Sequence, residues 1–135
     1  MYDANLHNTN LYNANLSSAN LYDADLSEAY LYKANLSGAY LNGANLNGAN
    51  LSNTDLTNAY LYNANLNDAD LNGANLSGAE LNNVNLSGVN LSGTDISGAY
   101  VDGTNLKSVK NLTLEQLKST KNWHLADYDS EVYKC

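Results

Sequence analysis

The 135-residue sequence contains no proline and no phenylalanine, one cysteine, and only six cationic residues, all lysine. A lone cysteine, Cys135, excludes an intrachain disulfide framework and is expected as a free terminal thiol, which suits a reducing compartment. Against 14 Asp and Glu the six lysines leave a net charge of −8. The clustered cations that phosphate contacts require are missing, which argues against a nucleic-acid partner. The acid is unevenly placed: residues 1–106 hold ten acids and one lysine, residues 107–135 four acids and five lysines, so a boundary falls near Lys107. No apolar run approaches a membrane span, and Met1 leads into the patterned sequence without a signal-like segment, so a cytoplasmic protein with no membrane partner is expected.

What the sequence does contain is a period of five. A large apolar residue, here called the centre, recurs in 21 units from Leu6 to Leu106; it is Leu in 19 of them, with Ile96 and Val101 completing the set. Two residues before each centre stands a small residue: 15 Ala, four Thr (Thr9, Thr54, Thr94, Thr104) and two Val (Val84, Val89). On an α-helix a step of five residues turns about 500°, spreading the centres over every face rather than along a stripe. On one long strand an odd period sends successive centres to opposite faces. The centre and the small residue are two apart, however, so within one short extended segment they point the same way. Five residues therefore make one side and one corner of a coil.

The corner shows in the residue two after each centre, where all nine glycines of the chain lie and six more units carry Asn. Both residue types tolerate positive φ, so a turn of type II character is expected there. Tyrosine recurs at multiples of twenty (Tyr2, Tyr22 and Tyr62; Tyr12 and Tyr32; Tyr40, Tyr60 and Tyr100), which hints at four sides per coil, although Tyr30 and Tyr40 are only ten apart.

The repeated A(N/D)LXX pattern, as in Ala34-Asn35-Leu36-Ser37-Gly38, resembles the pentapeptide repeat family over residues 2–108. That resemblance implies an all-β solenoid: a right-handed quadrilateral β-helix with four repeats per coil. About five coils spaced by ~4.8 Å would give a rod of roughly 25 Å. Leu6, Leu26, Leu46, Leu66, Leu86 and Leu106 are then core residues, and the filled interior leaves no room for a pocket. Ala at the small position reads as a size limit, and Val84 and Val89 hint at a different fit towards the C-terminal end. The 12 Asn and four Asp that precede centres are expected to stack outside the core as amide ladders.

The register fails at Asn111, which divides the chain into a solenoid, residues 1–108, and a capping helix with tail, residues 109–135. Thr113 as N-cap with Gln116 three later forms a capping box, and Leu112 with Leu117 forms a hydrophobic staple. A helix is expected from Leu114 to about Thr120, followed by Trp123, Leu125, Ala126 and Tyr128 covering the last coil and blunting its edge. This segment is also similar to the tails of cyanobacterial family members. No such cap precedes Met1, so the N-terminal edge is expected to be exposed and two molecules to meet there as a homodimer, near Tyr2, His7 and Tyr12.

The search for chemistry returns little. His7 and His124 are the only histidines and read as surface residues. The serines after the centres, such as Ser17, Ser27 and Ser37, are supplied by the repeat and fit no Ser-His-Asp set. The evenly spaced glycines match no phosphate loop, and no metal-type cluster of acids is present. Expected, then, is a protein that is not an enzyme and takes no cofactor and no metal. Its function is expected to be that of an interaction or scaffold module for an unidentified protein partner. The candidate surface is the column Tyr40, Tyr60 and Tyr100 with Tyr22 and Tyr62 beside it, and simple ring stacking is the competing explanation. The family resemblance implies two further roles: an acidic DNA mimic that binds DNA gyrase, and regulation of development or stress in cyanobacteria. The first sits poorly with acids scattered over all four sides.

Overall fold

The computed structural model describes residues 1–134, with side chains through Val132; Cys135, expected as a free thiol, lies outside the described residues. Its geometry begins at the corners. In every pentapeptide from Asp3 to Ser108 the residue two after the centre has positive φ, from 53° at Asp3 to 75° at Gly88. The residue before it stays outside that region. The next small residue donates its N–H to the carbonyl of the centre, as Ala24 does to Leu21 at 3.0 Å. This is the type II arrangement. It holds even where the residue is Glu28, Lys33 or Asp68, because the whole repeat imposes it.

Four corners complete a layer. Parallel bridges join the residues before the centres to those twenty further on, beginning with Asn5 and Asp25 and continuing to Asn90 and Lys110, with Asp70 and Asn90 the one exception in that run. The chain is thus a repeat solenoid in which residues twenty apart lie above one another. Each side carries three ladder bonds, for example Leu26 N–H to Asn45 O at 2.7 Å, Glu28 N–H to Asn47 O at 2.9 Å and Asn45 N–H to Ala24 O at 2.9 Å.

The interior is dry and aliphatic. Leu26, Leu46, Leu66, Leu86 and Leu106 are buried, and burial of each Leu contributes roughly 1.5–3 kcal/mol before entropy. Leu6 differs from the other core candidates: it is only partly buried, since among the described residues its layer is covered on one side alone. Thr at the small position brings a hydroxyl inside without leaving it unpaired. The Oγ1 atoms of Thr54, Thr94 and Thr104 donate to the carbonyls of Leu31, Leu71 and Leu81 in the preceding layer at 2.8, 2.8 and 2.7 Å. A β-branched side chain here therefore reaches back towards the layer before it.

Val84 and Val89 occupy the same position, buried and β-branched, but have no hydroxyl to donate. Among the described residues, the only interior break in the ladder lies here, where residues 64–71 face 84–91. The ladder bonds from Leu66, Asp68 and Leu71 forward, and from Asn85 and Asn90 back, fall outside good hydrogen-bond geometry; Asn65 and Asn85 still pair, but the Asp70–Asn90 bridge is lost. Ala64 and Ala69 are correspondingly slightly open to solvent, at 3% and 6%, where the same position in the layer below, Ala44 and Ala49, is sealed.

Beyond Lys110 the winding continues with insertions. Lys121 pairs with Tyr100 and Asp127 with Asn105, offsets of 21 and 22 residues. Helix α1, Leu114–Ser119, begins at Thr113, whose hydroxyl accepts from Gln116 N–H at 3.1 Å while the Gln116 side chain accepts from Thr113 N–H at 2.9 Å. Leu117 is buried, and Leu112, Trp123, Ala126 and Tyr128 pack partly buried against the core. Leu125 does not cover the last layer as expected. It is 56% exposed, because the extra residue between Lys121 and Asp127 turns it outwards, and its carbonyl instead accepts from Gly103 N–H at 3.0 Å. A Lys107–Asp127 ion pair at 2.9 Å and a bond from Ser108 N–H to Asp129 Oδ2 at 2.7 Å tie the tail down.

Candidate functional site

The residue before each centre decides what a side of the solenoid presents. Where it is Asn or Asp, its Oδ1 accepts from the backbone N–H two residues on, as Asn35 does from Ser37 at 2.9 Å and Asp70 from Asn72 at 3.0 Å. All 12 Asn and four Asp make this bond. The short side chain satisfies the N–H of the first turn residue, which the ladder does not use, and so fixes the corner locally. The expected amide ladder is a minor feature, seen where Asn45 donates to Asp25 at 3.4 Å and Asn65 to Asn45 at 3.3 Å. At Asp25 the Ser27 hydroxyl and N–H donate to the carboxylate and hold its pKa below the ordinary value; at Asp95 the Ser97 N–H and then its hydroxyl do the same.

Where tyrosine replaces Asn or enters the corner, the surface changes character. The twenty-residue register puts Tyr2, Tyr22, Tyr40, Tyr60, Tyr62 and Tyr100 on one side, and Tyr12, Tyr30 and Tyr32 on the side two pentapeptides away. The two sides between them carry no tyrosine. Tyr40 and Tyr60 stack at 4.8 Å with planes 2° apart, and Tyr2 stacks on Tyr22 at 5.7 Å. Tyr100 sits under Lys121, whose ammonium lies 4.7 Å from the ring centroid and 3.1 Å from the hydroxyl. Tyr22, Tyr40 and Tyr62 remain 42–47% exposed. Sequence reasoning missed the second group, in which Tyr12, Tyr30 and Tyr32 stack mutually at 5.9–6.3 Å beside Lys33. Tyr30 and Tyr32 flank the same centre, and that spacing of two was the available signal.

One constellation resembles catalytic chemistry. His7 Nδ1 lies 2.9 Å from Ser27 Oγ, and that hydroxyl donates to Asp25 Oδ1 at 2.6 Å. The order is wrong for a nucleophile: the carboxylate holds the serine rather than the imidazole, and His7 Nδ1 also lies 3.0 Å from Ser27 O. No cavity and no group of three metal-ligating side chains occurs among the described residues. Nor is any described helix long and apolar enough to cross a membrane.

The pentapeptide repeats family matches residues 1–38, 34–73 and 69–107, with eight copies in all. The chain belongs to the pentapeptide repeat family. Among solved structures it is similar to HetL, a pentapeptide repeat protein involved in heterocyst differentiation regulation from the cyanobacterium Nostoc sp. strain PCC 7120. The identity is 33% over 95% of this chain and 59% of that one, with a TM-score of 0.57. It is also similar to Rfr23 from the cyanobacterium Cyanothece 51142, with 33% identity over 90% of this chain and 65% of that one and a TM-score of 0.51. The chain thus spans less than two thirds of the length of either. QnrB1, a plasmid-mediated fluoroquinolone resistance protein, shares the fold at 17% identity, over 95% of this chain and 83% of that one, with a TM-score of 0.55. No curated protein sequence matches the chain significantly.

Proposed function

We propose that this pentapeptide repeat protein is a non-enzymatic interaction module. In this reading it is a right-handed quadrilateral β-helix of about five coils over residues 1–108, closed by the helix and tail of residues 109–135. A protein partner docks on the side carrying Tyr22, Tyr40, Tyr60, Tyr62 and Tyr100. The supporting observation is the segregation of the solenoid's tyrosines onto two sides, with the largest group gathered on this one. Stacked rings such as Tyr40 and Tyr60 are immobilised before any partner arrives, so little side-chain entropy is lost on binding, and tyrosine is among the residues that dominate interface energetics. Glu80 and Asp102 on the same side favour a partner surface that offers cations between apolar contacts.

Alanine at Tyr22, Tyr40 and Tyr62 together, compared with alanine at Ser17, Ser37 and Ser77 on a tyrosine-free side, separates docking from mere stacking. Loss of a cross-linked cellular partner only in the tyrosine variant, with the unfolding midpoint little changed, is the expected result. A lowered midpoint with every partner retained would assign the rings to stacking alone. A regulatory role like that of HetL would be exercised through such contacts. Gyrase mimicry is disfavoured because Asp25, Asp55, Asp70 and Glu80 fall on four different sides and form no phosphate-like row. A supercoiling assay should accordingly show no inhibition.

A further inference from the structure

We propose that Asn72 is a modification site: of the asparagines followed by glycine it is the one that loses its side-chain amide spontaneously, through a succinimide formed with Gly73, because the fold leaves it free to react. This proposal does not depend on which side docks another protein. An asparagine followed by glycine is prone to this reaction because the bare glycine puts no side chain in the way of its own nitrogen's approach to the carboxamide. The chain holds three such pairs, Asn42-Gly43, Asn47-Gly48 and Asn72-Gly73, and each lies within the same five residues, Leu-Asn-Gly-Ala-Asn. Any difference in rate among them therefore comes from the folded structure and not from the local sequence.

The fold treats the three differently. Asn42 Oδ1 accepts from Tyr62 N–H at 3.0 Å and Asn47 Nδ2 donates to Asn67 O at 3.1 Å, so both carboxamides are tied to the next layer and both residues are partly buried. Asn72 is exposed, and among the described residues its carboxamide has no such bond; only its backbone N–H is held, by Asp70 Oδ1 at 3.0 Å. The attacking nitrogen is ladder-bonded in all three, from Gly43 to Tyr62 O and Gly48 to Asn67 O at 2.9 Å and from Gly73 to Ser92 O at 3.0 Å. What flanks it differs. Beside Gly43 stand the bonds from Leu41 to Tyr60 O at 2.7 Å and Tyr60 to Ala39 O at 2.9 Å, and beside Gly48 those from Leu46 to Asn65 O at 2.7 Å and Asn65 to Ala44 O at 2.9 Å. The matching bonds beside Gly73, Leu71 to Asn90 O and Asn90 to Ala69 O, are among those out of geometry, and the Asp70–Asn90 bridge is lost with them. Local opening at Gly73 thus breaks one good ladder bond where the other two sites must break three.

In the opened state hydroxide from solvent takes the Gly73 amide proton, the nitrogen attacks Asn72 Cγ, and the bond from Cγ to Nδ2 breaks. Nδ2 takes a proton from water and leaves as ammonia. Water then opens the succinimide at either carbonyl, which gives aspartate or isoaspartate at position 72. The succinimide leaves Gly73 without an N–H for Ser92 O, and isoaspartate lengthens the main chain of the corner by one carbon. The modification therefore widens the break that permits it.

The test incubates the 135-residue protein at mildly alkaline pH and follows the three asparagines by peptide mapping with electron-transfer fragmentation, which separates aspartate from isoaspartate. In the folded protein Asn72 is expected to convert about fivefold faster than Asn42 or Asn47, from two ladder bonds each at the lower end of the usual contribution. In urea all three should convert at one rate. Deuterium exchange of the folded protein should show the same order, with Gly73 N–H about fivefold faster than Gly43 and Gly48 N–H. Asn72→Ser, which places there the residue that Ser52 and Ser92 supply in the neighbouring layers, should remove the fast phase and leave the rates at Asn42 and Asn47 unchanged. The proposal is overturned by conversion of Asn42 or Asn47 as fast as Asn72 in the folded protein, by an equal inequality of rates in urea, by an Asn72 that stays intact while the unfolded chain reacts, or by equal exchange at the three glycines.

Discussion

The break between residues 64–71 and 84–91 allows a prediction whose sign runs against the usual rule. A buried Val→Thr change ordinarily introduces a hydroxyl without a partner and costs roughly 1–3 kcal/mol. Here the small position points a β-branched arm at the carbonyl 23 residues earlier, and three threonines already bond it at 2.7–2.8 Å. By the same offset Val84 faces the Leu61 carbonyl and Val89 the Leu66 carbonyl. A methyl carbon rests about 3.3–3.6 Å from a carbonyl oxygen, roughly 0.5–0.8 Å further out than the hydroxyl. Ladder bonds of 2.9 Å, the length from Asp70 to Ala49, are carried by that displacement past the range of a good hydrogen bond. Five of them fall outside good geometry, although Asn65 and Asn85 still pair, and each has a net value of roughly 0.5–1.5 kcal/mol when well made. Because these groups still reach water, the lower end applies, and the double variant Val84→Thr/Val89→Thr should gain about 1–3 kcal/mol. Urea unfolding gives the free energy, and hydrogen exchange should show new protection at the amides of Leu66, Asp68, Leu71, Asn85 and Asn90. Destabilisation by about 1 kcal/mol or more with those amides exchanging as before would refute the reasoning.

Gly88 has open space where a Cβ would go, so Gly88→Asn, which tolerates the 75° φ, should change the unfolding midpoint by no more than about 0.5 kcal/mol. Gly103→Asn should cost more in the same assay, because the Asn83 carboxamide already fills that space. Asn35→Ala removes the bond from Ser37 N–H and should cost about 1 kcal/mol by urea titration, whereas Asn35→Asp keeps the acceptor. Asp25 and Asp95 have depressed pKa values when folded, so their stabilising contribution is present above the unfolded carboxylate value near ~3.9 and disappears as pH falls through the folded values. Asp25→Asn/Asp95→Asn should lower the neutral-pH midpoint slightly and flatten that part of an acid unfolding curve. Thr113→Ala should cost about 1 kcal/mol at the capping box, read from thermal unfolding.

The solenoid and its cap were readable in different ways, and so were the details that were not. An odd five-residue period with a small residue two before each leucine leaves no regular element able to bury all the leucines, so the chain must turn at every unit; the 20-residue bridges give the same geometry independently. The helix start at Thr113 was readable because a capping box is local, a matter of residues three apart. Leu125 was misplaced for the converse reason: whether it faces inwards depends on where the tail rejoins the ladder, and single-residue insertions before Lys121 and before Asp127 leave no mark in composition. The role of the asparagines was misjudged because stacking at twenty-residue intervals suggested ladders along the axis, while the bond made each time is two residues long and invisible to any period analysis.

The same distinction orders what the solenoid can do. Core positions are fixed by inward direction and the size of the layer, and corner positions by positive φ. Core positions tolerate little variation, corners admit residues as different as Gly, Glu28 and Lys33, and the repeat rather than any function dictates both. The side chain before each centre is held only by the two-residue Asx bond, which a tyrosine forgoes; at Tyr60 the N–H so freed, that of Tyr62, is taken by Asn42 Oδ1 at 3.0 Å. Tyr30, Tyr40, Tyr60 and Tyr100 all stand where that bond has been given up. The local hydrogen bonds relinquished, each of roughly 0.5–1.5 kcal/mol, are offset by ring stacking of similar size per pair, as at Tyr40 and Tyr60, and at Tyr100 by the Lys121 ammonium, which lies over the ring and bonds its hydroxyl at 3.1 Å. The rings that gain least from such intramolecular contacts while staying open to solvent, Tyr22 and Tyr62, are where a contact with another molecule has most to explain.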